Sequence, residues 1–164
     1  MVEIRTATTD DLDAVGRVHA ASRAAAYAGL VPPDALARVT PATQAEVWRQ
    51  RMAASPAPSA LLVAIEGGEL VGFTHGTGRE ERAELDAIHL APDRLGSGVG
   101  QALHDALLDE FVGWGCVRAE LWVLRGNERA QAFYRRNGWA HDGRTSEHDV
   151  GGAVVPILGY ARRL

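Results

Sequence analysis

Short runs of alternating or continuous apolar residues predict β-strands at Val2–Thr6, Leu61–Ile65, Leu70–Phe73, Ala83–Leu90, Arg118–Leu124, Trp139–Thr145 and Val154–Ala161. Between several of them the apolar period lengthens to that of a helix. Leu12, Val15, Val18 and Ser22 share one face, behind a Thr8/Asp11 pair with capping-box spacing. The chain then turns around Gly29–Pro33. Thr40 and Pro41 suit an N-cap and first helical residue, with Trp48 and Met52 on the inner face and Ser55-Pro56-Ala57-Pro58 as the stop. Leu103, Leu107, Leu108 and Phe111 mark a helix ending near Trp114, and another spans Asn127 to Asn137, closed by Gly138. Glu66-Gly67-Gly68-Glu69 reads as a hairpin turn. Strands and helices alternate without repeats or linkers, which predicts one mixed α/β domain over residues 1–164.

One strand changes phase. In Glu84-Leu85-Asp86-Ala87 the apolar residues are odd-numbered, and in Ile88-His89-Leu90 they are even-numbered. A strand keeps one face in the core across such a change only if a residue is inserted, so a β-bulge is expected here; burial on both faces is the alternative. Bulges release backbone groups from the ladder and recur beside active sites.

Composition narrows the field. With 164 residues, 46% of them hydrophobic, the chain supports one substantial core. No apolar run approaches the roughly 20 residues of a membrane helix, and Met1–Arg5 lacks a signal-peptide pattern. A single cysteine, Cys116, read as a small buried side chain, excludes an internal disulfide and leads us to expect a cytoplasmic protein. The net charge of −4 gives no reason to expect nucleic acid. All 17 basic residues are arginine, so neither a pyridoxal Schiff base nor a P-loop lysine is available. Phosphates must be held by backbone N–H groups and arginines.

Two stretches carry chemistry. Pro92-Asp93-Arg94-Leu95-Gly96-Ser97-Gly98-Val99-Gly100-Gln101 connects a strand to a helix through three glycines. Successive N–H groups ahead of a helix N-terminus form an anion cradle suited to a pyrophosphate. Further on, Asn127-Glu128-Arg129-Ala130-Gln131-Ala132-Phe133-Tyr134 leads to Gly138-Trp139, with Ala130, Phe133 and Tyr134 sharing a helix face with Asn137. Phe133 reads as core, whereas a buried Tyr134 hydroxyl needs a partner.

Over nearly its whole length the chain resembles the GCN5-related N-acetyltransferase (GNAT) superfamily. The signature Gln/Arg-x-x-Gly-x-Gly/Ala maps onto Leu95–Gly100, and the Asn-x-x-Ala-x-x-Phe-Tyr…Gly-Phe/Trp pattern onto Asn127, Ala130, Phe133, Tyr134, Gly138 and Trp139. One departure is Leu95 at the Gln/Arg position, with Arg94 one residue early; a phosphate contact is expected to weaken or move to Arg94. The resemblance implies an α/β GNAT fold, whose mostly antiparallel sheet splays between its fourth and fifth strands and is flanked by helices. It implies acetyl-CoA along Ile88, His89 and Leu90, over Leu95, Gly96, Ser97, Gly98, Val99, Gly100 and Gln101, and against Asn127, Ala130, Phe133 and Tyr134. CoA is then the product, an amine the acceptor, and no metal is needed. Tyr134 matches the family's general acid, and Glu84 stands where histone-type members carry their catalytic glutamate. Asp86 and His89 are reserve bases. The likeness admits a homodimer, with no nucleic-acid or membrane partner.

The acceptor wall is expected from Ser22–Pro33, the turn after Phe73, and the last hairpin (Ser146–Val155). Glu80, Glu81, Glu84 and Asp86 favour a cationic amine. Two rival readings are a non-catalytic acyl-CoA sensor on the same fold and a Rossmann dinucleotide enzyme using Glu120 for the ribose. Against the latter, Pro92–Arg94 lengthens the strand-to-glycine connection and Gln101 replaces the third Gly/Ala.

Overall fold

Antiparallel pairing builds most of the sheet from neighbours in the chain. The computed structural model describes residues 1–54 and 58–164, so the helix stop expected at Ser55–Ala57 lies outside the described residues. Strands β1 (Val2–Thr6), β2 (Ser59–Glu66), β3 (Glu69–Arg79), β4 (Arg82–Leu90), β5 (Arg118–Leu124), β6 (Ala140–Val150) and β7 (Ala153–Arg163) form one sheet in the order β1-β2-β3-β4-β5-β7-β6. Only β4 and β5 run parallel.

Helices cover both faces. Helix α1 (Leu12–Ala26) opens behind the expected capping box: the Thr8 N–H donates to the Asp11 carboxylate at 2.7 Å. It packs with α3 (Pro41–Ala54) on one face, over Val63, Phe73 and Ala87. Helix α4 (Val99–Gly113) fills the other face with Leu103, Leu107 and Phe111, against Leu62, Val71, Ala83 and Leu85. Helix α5 (Glu128–Arg136) follows β5 and joins that layer through Tyr134. A four-residue helix, α2 (Pro33–Leu36), sits where the sequence showed only a turn, with Ala35 packed beside Val150, Val155 and Ile157. Among the described residues no helix is long and apolar enough to cross a membrane.

Strand β3 outruns the expected Leu70–Phe73. His75, Gly76 and Gly78 break the apolar pattern yet continue the strand, because aromatic rings occupy the space of the missing side chains. A Cβ on Gly76 would lie 2.5 Å from the Phe111 ring, and one on Gly78 2.9 Å from Trp114. The turn foreseen after Phe73 therefore does not exist. The last two strands are also longer than expected and meet at Gly151–Gly152, both at positive φ.

Helices α1 and α3 approach closely at Gly16, where a Cβ would lie 2.5 Å from the Pro41 carbonyl oxygen and 2.6 Å from the Ala45 nitrogen. Gly16→Ala is expected to lose roughly 1–3 kcal/mol by overpacking, read as a lower urea midpoint. Gly113→Ala, with open space around the added methyl, serves as the control and should hold or slightly raise the midpoint. Equal midpoints for the two variants would contradict the close approach.

Candidate active site

The site begins where two strands stop pairing. β4 and β5 are in register only from Arg82/Arg118 to Leu85/Leu121. At the next residue β4 bulges: its partner on β3 jumps from Leu85 opposite Gly76 to Ala87 opposite His75, leaving Asp86 as the inserted residue. The phase change read from the sequence is this bulge. Ala83 and Leu85 face α4; after the bulge Ala87 joins the α1–α3 layer, and Ile88 and Leu90 return to the α4 side. Beyond Leu85 the edge facing β5 is open. The Ala91 N–H donates to the Val71 carbonyl on β3 at 2.8 Å, so two-residue alternation turns the Ile88 and Leu90 N–H groups away from β3, into the gap.

The glycine loop closes one end of that gap. Gly98, at φ +91°, is the N-cap of α4, and Gly96 sits at φ +76°. The first helical hydrogen bond runs from the Ala102 N–H to the Gly98 carbonyl. Among the described residues, the N–H groups of Gly96, Gly98, Gly100 and Gln101 find no acceptor. These donors and the positive end of α4 make an anion cradle. The missing side chain of Gly100 also serves packing, since a Cβ there would lie 3.3 Å from Leu90. On the other bank, Asn127 caps α5 through its carboxamide oxygen, which accepts from the Ala130 N–H at 3.2 Å. Gln131 fixes this corner: its Nε2 donates to the Leu124 and Arg125 carbonyls at 3.2 and 2.7 Å, and its Oε1 accepts from the Tyr160 hydroxyl at 3.0 Å.

Between these banks lies a cleft of about 1140 Å³, larger than a drug-sized ligand requires. Its α4–α5 half is lined by Ile88, Leu90, Gly96, Gly98, Ala130, Phe133 and Tyr134. Its α1–α3 half is lined by Ser22, Tyr27, Trp48, Glu84, Asp86, His89, Trp122 and His148. Tyr134 is 6% exposed, and burial raises its phenol well above the ordinary tyrosine value. Burial, reinforced by Asp86, also raises the Glu84 carboxyl, with Arg144 and Arg51 opposing. His89 is pushed down to about 3 by burial and the Arg23 charge, and its Nδ1 lies 2.9 Å from the Ser22 hydroxyl.

Residues 27–139 match the family model described as Acetyltransferase (GNAT) family. The chain belongs to this family. It is similar to an uncharacterized N-acetyltransferase of Archaeoglobus fulgidus, 34% identical over 140 residues, covering 81% of this chain and 89% of that one. It is also similar to an uncharacterized N-acetyltransferase of Mycobacterium tuberculosis, 34% identical over 85 residues, covering 51% of this chain and 54% of that one; the match thus spans about half the length of such mycobacterial relatives. Among solved structures, the PaiA N-acetyltransferase of Thermoplasma acidophilum in complex with coenzyme A superposes with a TM-score of 0.81 at 18% identity, over 100% of this chain and 99% of that one. The seven-stranded sheet with a single parallel pair is the GNAT fold.

Within the GNAT motifs, the structure sorts the residues read from sequence. Ile88, His89, Leu90, Leu95, Gly96, Gly98, Gly100, Gln101, Asn127, Ala130, Phe133, Tyr134 and Glu84 all line the cleft. Ser97 and Val99 do not: the Ser97 hydroxyl donates to the Arg94 carbonyl, and Val99 is 2% exposed in the core. The Gln101 side chain is engaged by Asp105 and Asn137. Arg94 lies off the cleft, its Nε donating to Glu66 at 2.6 Å and its Nη1 to Asp93 at 2.9 Å. Arg129 and Arg136 on α5 line the cleft instead, and Arg129 reaches within 3.9 Å of a Cβ built on Gly96. Glu80 and Glu81 belong to the β3–β4 turn, away from the cleft. The wall expected after Phe73 is supplied by α3, through Gln44, Val47, Trp48 and Arg51. The helical spacing of these α3 residues was visible in the sequence, but Trp48 read as core alone.

Proposed function

We propose that this chain, as a single N-acetyltransferase domain, moves an acetyl group from acetyl-CoA directly to an amine bound in the same cleft. The observation that carries this reading is the gap between β4 and β5, with unpaired N–H groups on one wall and the glycine cradle at its end. The cradle fits a pyrophosphate: four backbone N–H groups there have no acceptor among the described residues, and no Cβ intrudes at Gly96 or Gly98. When bound, acetyl-CoA supplies an activated thioester. The Ile88 and Leu90 N–H groups replace the missing β5 neighbour with the amides of the pantetheine arm, and the Ile88 N–H steadies charge that develops on the acyl oxygen. Arg129 adds a cation beside the cradle.

Glu84 takes the proton that the amine loses as the N–C bond forms, and Tyr134 returns one to sulfur as the C–S bond breaks. Glu84 suits the task because its raised pKa brings it nearer neutrality. His89 is a weak base by its depressed pKa, and the Asp86 carboxylate lies 3.0 Å from His75 Nδ1. Tyr134 holds its proton tightly, while a thiol near 8.5 is already a fair leaving group, so its contribution falls at the low end of acid catalysis, about 10²-fold.

Incubation with acetyl-CoA and a mixed amine library tests the reading: one acetyl group should appear on an amine. No transfer to any amine, with CoA bound, would overturn it. Arg129→Ala is expected to weaken CoA binding roughly tenfold by calorimetry, the worth of one charged hydrogen bond, whereas Arg94→Ala should leave it nearly unchanged. The reverse pattern would restore the contact to Arg94.

Tyr134→Phe should lower kcat about 10- to 100-fold with CoA affinity intact; wild-type turnover would make Tyr134 a packing residue. For Glu84 the sign is fixed by its charge. Only the ionised carboxylate accepts a proton, so activity falls as pH drops through a Glu84 pKa above the usual carboxylate range. Glu84→Gln should erase this acidic limb and cut neutral-pH turnover about 10²- to 10⁴-fold. Rate should recover partly as pH nears the amine's own value of about 10.4. An unchanged pH–rate profile would remove Glu84 from the reaction.

A further inference from the structure

Helix α1 lines the cleft with three polar side chains that acetyl transfer by itself does not use. Ser22 and Arg23 stand three and four residues after His19, and all three line the α1–α3 half. Ser22 is engaged by His89; the other two are incomplete. His19 is 4% exposed, and its Nδ1 accepts a hydrogen bond from Trp48 Nε1 at 3.0 Å. That bond leaves the ring proton on Nε2, and this buried Nε2–H has no partner among the described residues. The Arg23 Nε is likewise buried without a partner, and no carboxylate among the described residues pairs with Arg23. Each unmet buried donor costs about 1–3 kcal/mol, and native proteins leave few such groups.

The charges are arranged to match. Arg23 on α1 and Arg51 on α3, the latter 4.9 Å from the Trp48 ring centroid, make the helical wall positive. Glu84 and Asp86 make the β4 floor negative. The histidines between them, His19, His89 and His148, are each held below the ordinary histidine value by burial and the Arg23 charge. They stay neutral at physiological pH and add no charge to either wall. A ligand bearing a cation-forming nitrogen at one end and an anion at the other satisfies both walls.

We propose that the acceptor is a small amine that also carries a carboxylate, held with its carboxylate on Arg23 and the His19 Nε2–H and its amine toward Glu84. This rests on the N-acetyltransferase reading above. A carboxylate has two oxygens and one charge, which one guanidinium and one neutral N–H complete. The chemistry is that of a free amino acid. A peptide N-terminus lacks the nearby carboxylate and leaves Arg23 unmet.

Steady-state kinetics at saturating acetyl-CoA on L-amino acids, the same residues as carboxamides, and plain alkylamines test the assignment. The best free acid is expected to exceed its carboxamide at least tenfold in kcat/KM, mostly through KM. Arg23→Gln should bring acid and carboxamide level by raising KM for the acid, and Arg23→Lys should restore part of the preference. Calorimetry of the best acid against the CoA complex should show the same loss in Arg23→Gln, a readout that holds whether or not transfer occurs. Carboxamides or alkylamines used as well as the acids would overturn the inference and leave the N-acetyltransferase reading standing. So would a preference that survives Arg23→Gln, or an absence of amino-acid binding by calorimetry.

Discussion

Two strands that run parallel for four residues and then part create nearly everything this molecule offers a ligand. β4 and β5 pair from Arg82/Arg118 to Leu85/Leu121, and Asp86 is inserted at the next step. The insertion bends β4 and reverses the parity of its side chains. It also leaves an edge of backbone donors open in the middle of a sheet. An unpaired strand edge is normally a liability that proteins cover. Here the covering is left to α4 and α5 on one side and to α1 and α3 on the other, and the cleft lies between them. The Gln131–Tyr160 network ties the end of β5 to α5, holding the far bank in place.

The bulge divides the cleft into chemically distinct halves. On the α4 side, Ile88 and Leu90 bring apolar side chains, free N–H groups and an anion cradle in one line. On the α1 side, Glu84, Asp86 and His89 point at a wall of arginine, histidine and tryptophan. Glu84 and Asp86 face the α1–α3 layer by ordinary alternation from Ala83 and Leu85, and the insertion turns Ala87 to the same layer. The halves meet at Tyr134, whose burial keeps its proton in place.

Much of this was legible in residue patterns. The parity change between Leu85 and Ile88 announced a bulge in β4, because a period of two cannot reverse without an insertion, and the pairing with β3 places the inserted residue at Asp86. The glycines at 96 and 98 announced the cradle, and Asn127 and Gly138 bracketed α5. What stayed hidden needed the third dimension. The apolar pattern of β3 ends at Phe73, and nothing local shows that Phe111 and Trp114 fill the space beside Gly76 and Gly78. Arg94 was the arginine next to the loop in sequence, but Glu66 and Asp93 hold it, and Arg129 reaches the loop from an element more than 30 residues on. His19 lies next to Val18 on α1 and belongs to no sequence motif. Its unmet Nε2–H emerges only once Trp48 is seen to occupy the other ring nitrogen.

The central claim is that the open edge of β4 past Leu85 is where the donor binds. Residue-resolved amide hydrogen exchange, with and without CoA, measures this directly. The Ile88 and Leu90 amides should exchange readily in the free protein and become protected on CoA binding, while those of Arg82–Leu85, already paired with β5, change little. Protection confined to the glycine loop, with Ile88 and Leu90 unmoved, would contradict the account.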